Sequence, residues 1–360
     1  MKKTRSFESD LLSNSQIAEL LAVAAESAKM PLHKALRRAS RKAFLWPEEA
    51  SSILEGGRSL TELPGVGPSL DRIIRRWIEN PPEISRPPEI RQNFFTLPQA
   101  RAVVAKNPAW ARKVRGDLQM HTQWSDGSGS VEDMARSAVD RGYAYIAITD
   151  HSKGLKIAGG ITEEQLKLQG EEIEHVNAKL GAEGISFRVL RSIELNIDPR
   201  GNGDMESGAL ADLDLVLGCF HSSLRKKEDQ TERYLAALRN PDIQILGHPR
   251  GRIYNFRLGL SVDWQRIFDV AAELDKAVEI DAYPDRQDLS VDLVKLAAKS
   301  GCRMSFGTDS HDPLQLRFME YALASAIEAG IREDRVLNFL SATELVTWAA
   351  GVRYNQKRSG

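Results

Sequence analysis

The 360-residue chain lacks several features that would settle its class at once. It has no run of 18 or more apolar residues, which excludes a membrane-spanning helix. It has only two cysteines, Cys219 and Cys302, both inside apolar strand-like runs. A disulfide framework is therefore excluded, and buried free thiols are expected, as in a cytosolic protein. The opening stretch MKKTRSFESDLLSNSQ is basic but has no apolar core, so no signal peptide and a cytoplasmic location are expected. There is no internal repeat and no low-complexity tract. The remainder is of ordinary globular composition, 42% hydrophobic and 28% charged, with enough length for one large domain and a smaller one.

The net charge of −1 conceals an asymmetry. Residues 1–115 hold 20 Lys and Arg against 12 Asp and Glu, a net +8, whereas the rest holds 29 against 38, a net −9. A basic module joined to an acidic one fits a grip on a polyanion beside a site that holds cations.

The patterning divides at the same place. Residues 12–30 have helical apolar spacing, 32–46 continue as a basic helix and 48–56 as a third. SLTELPGVGPSLDRIIRRWIEN (59–80) predicts a helix, a tight turn and a second helix. NPPEISRPPEIRQ (80–92) holds four prolines and predicts a linker, with a short helical piece at 97–106 after it. Domains are thus expected at 1–80 and 116–360, with 81–115 connecting them. From 116 onward strands are expected at 118–122, 145–149, 187–197, 213–220, 243–247, 277–281 and 303–307. Helices such as 131–142 and 291–301 lie between most of them. Alternation of this kind predicts a parallel sheet closed as a barrel.

The chemistry lies in where the histidines fall. Of seven, His33 and His175 lie on expected helices and read as surface residues. The other five end or follow expected strands: LQMHT (His121), AITDHS (His151), LGCFHSS (His221), ILGHP (His248) and FGTDSH (His311). Asp126, Glu194 and Asp309 stand at the same ends. One strand-end histidine is more often structural than a ligand, but five beside carboxylates on one barrel face imply a polynuclear metal centre. Imidazole and carboxylate without thiolate suit Zn, Mn or Fe.

The motifs GDLQMHTQWSDG, ITDHSKGLKIAGGI, SIELNI, HSSL, LGHPRGR, EIDAYPDRQDL and FGTDSHDP, in this order, resemble the PHP (polymerase and histidinol phosphatase) domain over about 116–351. The similarity is greatest to the PHP domain of bacterial family X DNA polymerases. The resemblance implies a distorted (β/α)7 barrel with two or three divalent metal ions. It also implies nine ligand positions, here Gln119, His121, Asp126, His151, Glu194, His221, His248, Asp309 and His311. One ion would take His121, Glu194 and Asp309, with Gln119 where many members have His. A second would share Glu194 and add His221 and His248, and a third would take Asp126, His151 and His311. The amide oxygen of Gln119 is a weaker ligand than imidazole. Such a centre suits phosphate-ester hydrolysis, because it activates water and clamps phosphoryl oxygens. Glu194, His221, Asp309 and Arg252 are the expected catalytic residues. Lys153, Arg252 and Arg257 are the expected phosphate contacts. Arg250 is a further cation but does not match a family position.

In the basic module, LPGVG has the form of a helix-hairpin-helix turn. Gly65, Val66 and Gly67 would let the backbone approach a phosphate, and Arg72, Arg75 and Arg76 would neutralise the strand. Residues 10–80 also resemble the small N-terminal domain of family X polymerases, making this an all-α helix-hairpin-helix domain. Ser69 and Ile73 occupy the positions where lyase lysines usually stand, so lyase chemistry is not expected. No polymerase palm fits into 81–115. Asp212 and Asp214, although spaced like a catalytic pair, are expected to be structural. The combined expectation is a metal-dependent phosphoesterase acting on DNA ends or gaps without sequence specificity, a 3′–5′ exonuclease or 3′-end phosphatase of DNA repair. The alternatives are a small-molecule phosphatase of the histidinol-phosphate type and a non-catalytic DNA-binding scaffold. No membrane partner is expected, and the oligomeric state stays open.

Overall fold

The computed structural model describes residues 11–359, so the first ten residues of the basic opening stretch lie outside the described residues. Two compact units divide the chain, Met1–Ala102 and Val103–Gly360, with the boundary inside 81–115.

The first unit is helical. Helix α1 (Asn14–Ser27) starts at a capping box in which Ser13 and Gln16 exchange side-chain and backbone bonds. It buries Ile17, Ala18, Leu21, Ala22 and Ala25. Helix α2 (Leu32–Lys42) lies against it, with the Ser40 hydroxyl donating to the Ala18 carbonyl at 2.9 Å. Helix α3 spans Ala50–Glu55 and α4 spans Pro68–Glu79. The expectation of a helix ahead of the LPGVG turn needs correction: a single 3-10 turn, Leu60–Glu62, stands there. Leu63 precedes Pro64 and is extended (ψ 134°), because the proline ring disfavours the helical conformation of the residue before it. The proline-rich stretch forms no α-helix or strand and holds one 3-10 turn, Glu89–Arg91, flanked by extended Pro88 and Gln92. It is fastened within the first unit by Arg91, whose guanidinium bonds Glu19 at 2.8 Å and Glu26 at 2.9 Å.

Among its described residues the second unit holds eight short parallel strands: β1 Gly116–Asp117, β2 Tyr145–Ile148, β3 Arg188–Arg191, β4 Glu194–Asn196, β5 Leu217–Cys219, β6 Ile245–Leu246, β7 Ala277–Asp281 and β8 Arg303–Gly307. They pair in the orders β1-β2-β3 and β4-β5-β6-β7-β8. Backbone bonds close the ring. On one side Leu118 N donates to Phe306 O (3.2 Å) and His121 N to Ser310 O (2.7 Å). On the other, Glu194 N donates to Asp150 O (3.1 Å). The result is a distorted barrel of seven strand runs joined by helical crossovers, as the alternation predicted.

The run expected as one strand, 187–197, is two. Its first part pairs with β2 and its second with β5, so the backbone must change partners at Ser192–Ile193. Asp214 secures this break: its carboxylate accepts from Arg191 N (2.8 Å) and the Arg188 guanidinium (2.9 Å), while its own N–H donates to Arg191 O. Alternation along β2 sends Tyr145 and Ala147 to an interior cluster with Leu118, Leu190, Leu217, Ile245 and Ala277. It sends Ile146 and Ile148 outward to Val131, Met134, Ala138 and Ile173 of the covering helices. Cys219 and Cys302 are buried and free.

Candidate metal centre

The ligand-position side chains sit just beyond the C-terminal ends of strands, except Asp126, which stands on the loop after His121, and Glu194, which opens β4 where the chain leaves β3. The barrel therefore brings all nine to one rim. Glu194, the first residue of β4, is the hub and is fully buried. Its Oε1 lies 2.8 Å from His221 Nε2 and 2.7 Å from His248 Nε2. Its Oε2 lies 3.2 Å from His121 Nε2 and 3.4 Å from His151 Nδ1, and accepts from Gln119 Nε2 at 3.3 Å. Asp309 Oδ1 is 3.0 Å from His121 Nε2. Asp126 Oδ1 faces His311 Nε2 at 3.3 Å and His151 Nε2 at 3.6 Å. The His121 ring stacks between those of His151 and His311, each with centroids 4.3 Å away.

Four groups in this cluster have donor atoms close enough to share an ion: His121, Asp126, His151 and His311; His151, Glu194 and His221; His121, Glu194 and Asp309; and Glu194, Cys219 and His248. The last brings in a thiol that the sequence reading left in the core. The donor chemistry fits a cation. Gln119 Oε1, His121 Nδ1 and His151 Nδ1 are buried with no hydrogen-bond partner, a costly arrangement unless something electropositive meets them.

Electrostatics agree. Burial alone would raise Glu194, but His248, His221 and the hydrogen bond from His121 hold it well below the usual carboxylate range. Asp309 is likewise held low against burial by Arg286 and His121. Burial pushes His151 down to about 3, so this imidazole is neutral and ligand-ready.

Several side chains hold the ligands in place. His221 Nδ1 meets Asn196 Oδ1 at 3.2 Å, and His311 Nδ1 meets the Asp309 carbonyl at 2.7 Å; in both rings this leaves Nε2 facing inward. Asp150 accepts from Thr122 N (2.7 Å), the Ser125 hydroxyl (2.5 Å) and Gln169 Nε2 (2.6 Å), which shapes the loop carrying Asp126. His248 (φ 22°) and Asp309 (φ 51°) adopt left-handed backbone conformations that cost energy for residues with a Cβ, as at many functional sites.

The expected phosphate contacts separate. Lys153 is taken by Glu163 at 2.6 Å. Arg252 is buried, its N–H 3.4 Å from Asp288, and Arg257 donates to the Gly251 carbonyl at 2.5 Å on the same loop after His248. The sequence reading missed Arg286, whose guanidinium reaches Asp309 Oδ2 at 2.7 Å. It also missed Asn196, although period-2 alternation puts residue 196 on the same face as Glu194.

In the first unit, Gly65 has φ 83° and Gly67 caps α4. Val66 is buried beneath the turn. Arg72 leans on the Pro68 carbonyl and Arg75 on Asp71 (3.6 Å), both on the first turns of α4, with Arg76 one residue on. Beside them, His33, Lys34, Arg37, Arg38, Arg41 and Lys42 of α2 line an open cleft of about 490 Å³.

The sequence profile of the PHP domain matches residues 117–304. The chain is 35% identical over 234 residues to the DNA polymerase/3′-5′ exonuclease PolX of Bacillus subtilis (strain 168), covering 65% of this chain but only 40% of that protein. It is 29% identical over 235 residues to a probable phosphatase of Thermoanaerobacter sp. (strain X514), covering 62% of this chain and 89% of that one. Histidinol phosphate phosphatase of Lactococcus lactis, solved with zinc, L-histidinol and phosphate, superposes with a TM-score of 0.45 at 16% identity, covering 61% of this chain and 95% of that one. With its profile matched over more than half the chain and its strand-end histidines and carboxylates gathered on Glu194, the protein belongs to the PHP domain family of metal-dependent phosphoesterases.

Proposed function

We propose that the protein hydrolyses phosphate esters in DNA, as a 3′–5′ exonuclease or a 3′-end phosphatase. The observation that carries this reading is the clustering of His121, Asp126, His151, Glu194, His221, His248, Asp309 and His311 in overlapping groups, three of which share the buried Glu194 carboxylate. Two or three divalent ions, Mn, Zn or Fe, would be held by these residues, with Gln119 the weakest donor. When bound, they would supply an acidified water and a clamp for phosphoryl oxygens.

The side chains do the rest. Glu194 holds four imidazoles in one geometry, and Asn196 keeps the Nε2 lone pair of His221 inward. Arg286 fixes Asp309, and Arg252 and Arg257 provide positive charge on the loop after His248 for non-bridging oxygens. DNA as substrate is supported by the similarity to a relative whose name includes 3′-5′ exonuclease, and by the basic first unit. Its hairpin backbone at Gly65–Gly67, with Arg72, Arg75 and Arg76, would hold phosphates without reading sequence. The chain spans 40% of that relative's length, so the activity of the relative as a whole is not carried over.

The test is hydrolysis of 3′-labelled oligonucleotides with Mn²⁺ by wild type, His151→Ala and Glu194→Ala. Loss of at least about 100-fold in both variants is expected, since each leaves the centre short of a ligand. Equal activity in all three would sink the proposal. A second reading, a small-molecule phosphatase, draws on the relatives named probable phosphatases, which align over most of their length. Faster turnover of small phosphomonoesters than of DNA ends would favour it.

A further inference from the structure

Six large apolar side chains of the second unit are exposed among the described residues: Ile157, Leu168, Phe256, Leu258, Leu314 and Tyr354. Four of them stand on loops that leave ligand-bearing strand ends. Ile157 follows His151, Phe256 and Leu258 follow His248, and Leu314 follows His311. Scattered exposed apolar residues need no explanation, but their concentration on the rim of a charged site does.

Phe256 is the aromatic one, and its loop presents it firmly. Ile253 and Arg257 exchange backbone bonds (2.8 and 3.0 Å), and Leu260 N donates to Arg250 O at 2.8 Å. Tyr254 is buried, with its N–H on the Asp285 carbonyl at 2.7 Å, while Phe256 turns outward with 47% of its surface exposed. The Arg225 guanidinium lies 4.6 Å from the ring centroid. Arg225 comes from the loop after His221, is followed by Lys226 and Lys227, and forms no ion pair with a carboxylate among the described residues.

Positive charge stands next to this capped ring, since Arg257 is the residue after Phe256 and its guanidinium is held by the Gly251 carbonyl on the same loop. Burial pushes Arg257 below the usual guanidinium range, with the charge of Arg286 adding to it, Asp288 opposing it and Arg225 adding to it again. Arg286 in turn bonds Asp309, a ligand position. Guanidinium groups that feel one another's charge suit a chain of phosphates. An exposed aromatic ring beside that charge suits a base, because every base has a face to stack.

We propose that Phe256, with Arg225 over its ring, is a stacking step for the unpaired bases of a single-stranded DNA end, and that Arg257 and Arg286 hold the adjoining phosphates on the way to the ligand cluster. This rests on the reading of DNA as substrate and narrows it to strands whose terminal nucleotides are unpaired. A duplex end would have to fray before its bases reached the ring.

The test uses the full chain, titrated calorimetrically with two ligands of equal charge: the tetranucleotide dT4 and a tetramer of abasic units. Comparing the two cancels phosphate contacts made anywhere on the protein. Wild type is expected to prefer dT4 by at least about fivefold. Phe256→Ala brings the ratio close to one, and Phe256→Trp, which keeps a stacking face, restores it. A preference that survives Phe256→Ala, or no preference in wild type, overturns the proposal. The two readings fail separately. A protein that prefers dT4 through Phe256 but cleaves no DNA refutes the nuclease reading alone. One that cleaves DNA with a preference untouched in Phe256→Ala refutes the stacking step alone.

Discussion

Asn196 and Gln119 show how much of this site depends on groups that need not touch an ion. Asn196 Oδ1 faces His221 Nδ1 at 3.2 Å, and it is this contact that points Nε2 at Glu194. Asn196→Ala is expected to lower metal affinity or turnover by about 10- to 100-fold, the usual cost of losing a partner that orients a ligand. Thermal stability should shift little, since the residue sits at a half-exposed strand end. Metal counts and turnover unchanged in the variant would show that His221 needs no orienting group. Gln119 replaces a common imidazole ligand by an amide that donates to Glu194 and leaves its own Oε1 unpartnered. Gln119→His is expected to tighten the binding of one ion, measured by competition with a chelator, while activity is already present in the wild type. Hydrolysis that appears only in the variant would favour the scaffold reading.

The elements show a different dependence, on backbone freedom. At the LPGVG turn, Gly65 has φ 83°, and a Cβ there would stand 2.6 Å from Cδ of Lys42. Gly65→Ala should therefore cost on the order of 1–2 kcal/mol and weaken duplex binding, because the turn must open and Lys42 must move. Gly67, at φ −93° with open space at its Cβ, should cost less on the same substitution. Thermal unfolding and fluorescence anisotropy with a duplex would separate the two, and equal effects would sink the argument. Elements of this kind also mark what was legible beforehand. β7 and β8 follow the expected ranges because apolar runs of that length on a buried sheet leave one reading. The clustering of the candidate ligand positions follows from histidine and carboxylate recurring where such runs end. The break at Ser192 was not legible, since it arises from a change of strand partner, and no local pattern encodes a partner. Arg286 was hidden for the same reason: its contact with Asp309 joins the loops after β7 and β8, which lie side by side only because those strands pair.

For the molecule as a whole, the division of charge is matched by groups whose burial makes stability depend on pH. Lys276 directly precedes β7 and is fully buried, its Nζ donating to the Asn240 carbonyl at 2.6 Å. Burial pushes it down to about 7, only partly opposed by Asp242. In the unfolded chain it would titrate near 10.4. Between these values the unfolded chain binds the extra proton, so this lysine makes stability rise with pH from about 7 to about 10, by at most about 1.4 kcal/mol per pH unit. Below 7 both states are protonated and the contribution is flat. Lys276→Met removes the proton linkage while keeping the length of the side chain. The Tm gap between wild type and variant should therefore move in favour of wild type as pH goes from 7.5 to 9.5, whatever the histidines and carboxylates of the rim do in both. A gap that stays constant across that window would mean that Lys276 keeps its charge inside the fold, with Asp242 a stronger partner than its position suggests.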